Sequence, residues 1–145
     1  MPILNYTTKV AAETTAGQIQ KILVRVGAQA IMSEFDDEGV MCALSFRMNH
    51  NGIPIMFRLP ARVDAIHRLL QDQSDRPSYR TREHAAKVAW RIIKDWVEAQ
   101  CAIIEAEQAD LIEVFLPYAQ DNSGTTVYER LKNSDFRMLT YNGAQ

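Results

Sequence analysis

Little in this chain announces chemistry. Only two cysteines are present, Cys42 and Cys101, and both sit in apolar patterns. Reduced buried thiols are therefore expected rather than a disulfide. The three histidines, His50, His67 and His84, are widely spaced. None has a second His or Cys at metal-ligand spacing, so no metal site and no cofactor is expected. There is no Gly-x-Ser-x-Gly elbow and no glycine loop to cradle a phosphate. The acids Asp36, Asp37 and Glu38 are clustered, but in a turn, where solvated carboxylates are the ordinary reading. No apolar run approaches the roughly 20 residues of a membrane span. The N-terminus lacks the pattern of a secretory leader. The net charge of -2 gives no overall pull toward nucleic acid or membrane. These absences lead to the expectation of a non-enzymatic, cytoplasmic protein.

What is present is ordinary for a globular chain. It has 145 residues, 47% of them apolar and 23% charged, enough for one domain with a core. Residues 1–132 are expected to form a single α+β domain, with a loosely ordered tail over 133–145. The charge is unevenly placed. Residues 56–94 hold nine Lys or Arg against four acids, whereas residues 95–121 hold seven acids and no Lys or Arg. Such asymmetry fits an electrostatic partner or charge pairing between subunits.

The pattern predicts the order β-α-β-β-β-α-α-α, with an antiparallel sheet of three to four strands and helices on one face. Leu4, Tyr6, Thr8 and Val10 alternate as a first strand. Thr15 and Gln18 resemble a capping box, and Gly27 is placed to close the following helix. A second strand covers 28–35. The hairpin is the strongest local signal. Asn51-Gly52 suits a two-residue type I′ turn and sets Met48 opposite Ile55, Phe46 opposite Phe57 and Leu44 opposite Leu59. Val63, Ile66, Leu69 and Leu70 give a helix. Shorter helices are expected over 109–119 and 125–132.

Residues 81–105 read as one long helix without Gly or Pro, capped by Thr81. It carries two apolar stripes. Ala85, Ala89, Ile92, Trp96, Ala99 and Ile103 form one. Ala86, Trp90, Ile93, Val97, Cys101 and Ile104 form the other. A helix apolar around most of its circumference must be covered on more than one side. The first stripe has a home on the hairpin. A homo-oligomer through the long helix 81–105 is the expected cover for the second, with one of Trp90 and Trp96 facing a partner helix.

The best ligand candidate is the segment from Arg76 to His84, which is basic, aromatic and opens a helix. Unpaired N–H groups, guanidinium forks and an aromatic face suit an anionic small molecule such as a nucleotide. Tyr79, Arg80, Arg82 and Arg91 are the expected ligand-binding residues. The alternative is a solvated loop whose arginines pair with nearby acids. Phe115 and Tyr118 are expected in core packing, with a pocket wall as the other reading.

Asn5-Tyr6-Thr7-Thr8, the run from Arg80 through Trp96, and Val114-Phe115-Leu116-Pro117-Tyr118 resemble small proteins encoded in bacteriophages and prophages. In size, predicted layout and lack of a catalytic centre the chain is similar to the Thoeris anti-defence sponges. That resemblance implies an oligomer that sequesters a cyclic nucleotide immune signal without cleaving it. Two other expectations stay open: a nucleic-acid-associated replication or recombination protein, and an inhibitor that meets a host protein through its acidic segment.

Overall fold

A computed structural model describes residues 2–143. It shows an α+β fold: a three-stranded antiparallel sheet in the order β1-β2-β3, with a long helix in the C-terminal half. The strands are β1 (Ala30–Phe35), β2 (Met41–His50) and β3 (Ile53–Pro60). The helices are α1 (Ala12–Arg25), α2 (Val63–Gln73), α3 (Arg82–Glu105), α4 (Leu111–Phe115) and α5 (Val127–Asn133). No helix among the described residues is long and apolar enough to cross a membrane.

The hairpin forms in the expected register, with Phe46 opposite Phe57 and Leu44 opposite Leu59. Asn51 and Gly52 both adopt positive φ, as a type I′ turn requires. One face of the sheet is the core floor. Phe46 and Phe57 stack at 5.0 Å, and Phe115 meets both edge-on. Gly27 closes α1 with φ 113°, and Ala28 N–H donates to the Leu23 carbonyl while Gly27 N–H donates to that of Val24. This is the Schellman arrangement that a left-handed glycine permits.

Three local expectations fail for identifiable reasons. The alternating segment Leu4–Val10 is not a strand. It turns twice, with Asn5 at φ 64°, and finds no neighbour in the sheet. Tyr6 instead offers its carbonyl to His84 Nε2 and its ring edge to Tyr79. Period-two alternation over so short a run lacks force without a partner strand. The Thr15/Gln18 capping box is also absent, because α1 starts earlier, at Ala12. Thr15 is fully buried inside the helix, its Oγ1 unpaired. A true capping box forms at Thr126 and Glu129, at the start of α5. The expected helix over 109–119 shortens to α4, followed by a 3₁₀ turn, Leu116–Tyr118, that places Pro117 in its first turn. Beyond α5 the chain is largely exposed, with a 3₁₀ turn at Arg137–Leu139; residues 144–145 of the expected tail lie outside the described residues.

The long helix is capped as expected, Thr81 Oγ1 accepting from His84 N–H at 3.1 Å. Over 24 residues it runs about 36 Å. Its second stripe does not lack an internal partner. α1 and α2 both pack along α3, and Ala86, Trp90, Val97 and Cys101 are buried within the one chain. Trp90 is completely enclosed, and its indole N–H donates to the Met41 carbonyl at 2.9 Å. The reason given for a partner along this helix therefore falls away for its N-terminal half. The sheet and two short helices wrap it more fully than periodicity alone suggests. Burial pushes the Cys101 thiol up to about 11, which makes it an inert thiol at neutral pH.

Candidate functional site

The four residues selected from sequence are each drawn to different neighbours. Arg80 Nη1 donates to the Gln71 and Ser74 carbonyls at the end of α2, and its own carbonyl meets His67 Nε2 at 2.8 Å. A carbonyl can only accept, so that His67 nitrogen carries the proton. Arg80 is thus a clamp on the C-terminus of α2. Arg82 is held by three carboxylates: Asp36 at 2.6 Å, Asp64 at 2.9 Å and Glu38 at 3.2 Å. Hydrogen bonds to Asp64 and Asp36 raise its pKa further. Asp36 is lowered, first by the Val40 backbone N–H and then by Arg82. Of the turn acids, Asp36 and Glu38 therefore pair with Arg82, while Asp37 and much of Glu38 remain exposed to solvent. Arg91 Nη1 donates to Gln18 Oε1 on α1 at 2.6 Å.

Tyr79 keeps an aromatic setting, but one the chain itself fills. His84 stacks on its ring at 4.9 Å, the Arg76 guanidinium lies 5.1 Å over the centroid, and Tyr6 meets it edge-on. The hollow beside it, lined by Asp72, Asp75, Arg76 and Tyr79 among others, mixes acids with a single arginine. An anion gains little there. The uneven charge along the chain is likewise not used between segments. The one ion pair among the described residues that joins 56–94 to 95–121 is Lys94–Glu98, inside α3.

A different site forms where β3 ends. Leu59 and Pro60 close one side of a cleft, Ile92, Ile93 and Trp96 of α3 the other, and Tyr118 the end. This apolar part holds about 260 Å³. Trp96 is fixed there edge-to-face against Phe115 at 5.5 Å and Tyr118 at 5.7 Å. Pro60 and Tyr118 also line a neighbouring polar hollow of about 180 Å³. Arg58, Arg62, Thr126, Tyr128, Glu129 and Lys132 line it.

The polar end is held in place by backbone. Gln120 N–H donates to the Met56 carbonyl and Val127 N–H to that of Ala119, so the segment after Tyr118 lies against the outer edge of β3. Arg58 is already spent on Glu34, which it meets at 3.0 and 3.1 Å. Glu129 is turned toward Thr126, whose backbone N–H lowers its pKa and fixes the carboxylate at the cap. Arg62 and Lys132 have no ion-pair partner among the described residues. The chamber therefore carries a small excess of available positive charge next to an apolar, aromatic slot.

Sequence reasoning reached parts of this cleft without assembling it. Tyr118 is the pocket-wall alternative of the sequence reading, and Trp96 and Ile93 are residues of the two stripes. Arg62 and Lys132 carry no local signal, since they approach only through tertiary packing of α2 and α5. Among the described residues no group of three His, Cys, Asp or Glu is placed to hold a metal ion. No protein-family model, curated protein or solved structure matches the chain.

Proposed function

We propose that this chain is a non-enzymatic binding protein for a small anionic ligand with an apolar or aromatic body. The observation that carries this is a pair of adjoining hollows that share Pro60 and Tyr118, one apolar at Ile92, Ile93 and Trp96 and the other cationic at Arg62 and Lys132. An aromatic slot supplies contact area and a face for stacking, and paired cations supply charge-assisted hydrogen bonds to a phosphate or carboxylate. Binding sites of this kind are mostly apolar with a few convergent polar groups. A nucleotide meets both requirements. The resemblance to phage accessory proteins makes sequestration of a nucleotide immune signal the biological form we favour. The ligand site is then the cleft rather than the Tyr79, Arg80, Arg82 and Arg91 grouping, because Arg80 and Arg82 are tied into the fold.

Calorimetric titration with a panel of cyclic and linear nucleotides tests the reading. Saturable binding is expected, weakened at least about tenfold by Trp96→Ala and by the double change Arg62→Ala with Lys132→Ala, a loss of about 1.4 kcal/mol or more. Tyr79→Ala should leave affinity unchanged. Loss of binding in Tyr79→Ala with retention in Trp96→Ala would return the site to the start of α3. No heat with any nucleotide would remove the nucleotide reading.

A further inference from the structure

The two edges of the sheet are treated differently. β3 is covered on its outer side by the segment through Ala119 and Gln120. β1 is the other edge, and no described segment pairs with it. The ladder shows which of its backbone groups are open. Cys42 carbonyl accepts from Ala61 N–H, so the even-numbered residues of β2 bond toward β3 and the odd-numbered ones toward β1. On β1 the partners of Arg47, Ser45 and Ala43 are Ala30, Met32 and Glu34. The N–H and C=O groups of Ile31 and Ser33 therefore point away from the sheet. A row of open backbone groups on a strand is a template for another strand.

The usual protections are weak here. β1 contains no Lys and no Pro. Its one charge, Glu34, is bound to Arg58 across the outer face of the sheet. A register shift between Glu34 and Phe35 disturbs only the C-terminal end. Met32 and Phe35 are 55% and 54% exposed, large apolar side chains at a free edge.

We propose that β1 pairs antiparallel with β1 of a second copy of this chain, joining two three-stranded sheets into one. Open groups must meet open groups, so Ile31 lies opposite Ser33 and Ser33 opposite Ile31, each pair exchanging both N–H···O bonds. Met32 then faces Met32 on the twofold axis as a non-hydrogen-bonded pair, where side chains come closest. Glu34 falls opposite Ala30 and the two carboxylates stay apart. A register two residues on, centred on Ser33, would set Met32 against Glu34 and involve the distorted Phe35. The chosen register is self-complementary, as a twofold interface must be. It also covers the two Met32 side chains that the monomer leaves in water.

Sedimentation across a concentration series should show a dimer for the wild-type chain. Ser33→Pro removes an outward N–H without touching the ladder to β2, and should sediment as a monomer with an unchanged helical circular dichroism signal. Met32→Cys gives a sharper readout. Its Cα–Cα separation across the axis would be about 4.5 Å, within disulfide range. Mild oxidation should yield a covalent dimer from Met32→Cys, but not from Ala30→Cys or from the wild-type chain. A monomeric wild-type chain at all concentrations overturns the proposal. So does a dimer that survives Ser33→Pro, or cross-linking as efficient through residue 30 as through residue 32.

Discussion

The two halves of α3 have similar sequence patterns and different surroundings. From Arg82 to Trp90 the helix lies between the sheet, α1 and α2, and His84, Ala85, Ala86, Val88, Ala89 and Trp90 are all buried. From Arg91 to Glu105 only Val97 and Cys101 are buried, while Ile92, Ile93, Trp96, Ile103 and Ile104 remain partly open. The apolar stripes run through both halves without a break. Apolar content therefore measures how much cover a helix wants, but not where the cover comes from. In the first half it comes from the chain's own helices and serves stability. In the second it is incomplete, and the exposed part of Ile92, Ile93 and Trp96 becomes the wall of the cleft.

The two tryptophans separate these roles most strongly. Trp90→Ala should cost about 3–5 kcal/mol, from the cavity and the abandoned Met41 carbonyl. Trp96→Ala, at a half-open site, should cost about 1–2 kcal/mol and act chiefly on ligand binding. Urea denaturation of both variants checks this, and equal losses would break the distinction between the halves.

Acid should loosen the first half before the second. Asp36 and Glu34 have pKa values below the ordinary carboxylate range, so the unfolded chain binds more protons than the folded one as pH falls. The stability they contribute is present above about pH 4–5 and is lost as pH drops through the lowered folded values. Asp36 carries this effect to the start of α3 through Arg82. Amide protection factors near Arg82 to Ala86, taken relative to the intrinsic exchange rate at each pH, should fall on acidification, and Arg82→Ala should blunt that pH response. An unchanged profile in Arg82→Ala would show that the acidic cluster does not anchor the helix. The smallest effect is expected at Ala99, an exposed position of the first stripe. Ala99→Glu should change stability by less than about 0.5 kcal/mol, and a larger loss would mean that the second half is covered in solution.

Legibility in the sequence followed locality. The hairpin register, the Asn51-Gly52 turn, the Gly27 cap and the Thr81 cap each depend on neighbours a few residues away, and each appears as read. The Leu4–Val10 strand needed a partner that only the full fold could supply or deny. The partners of the Tyr79, Arg80, Arg82 and Arg91 grouping were hidden for a similar reason. A run rich in arginine says nothing of Asp36, Glu38 and Asp64, which reach Arg82 from a turn and from α2. The cleft was least visible, because Leu59, Trp96, Tyr118, Arg62 and Lys132 come from five separate elements or connections.

The sequence by itself determined the α+β class, the matched hairpin with the strand before it, and a long helix with more apolar surface than one side can bury. Those properties rest on periodicity and turn chemistry, which act over short stretches of chain. Only the tertiary structure decided that α1 and α2 enclose half of that helix, that Arg82 is neutralised, and that an apolar slot opens beside Arg62 and Lys132. Those outcomes depend on which surfaces meet when distant segments compete for the same neighbours, and short-range pattern carries no record of that competition.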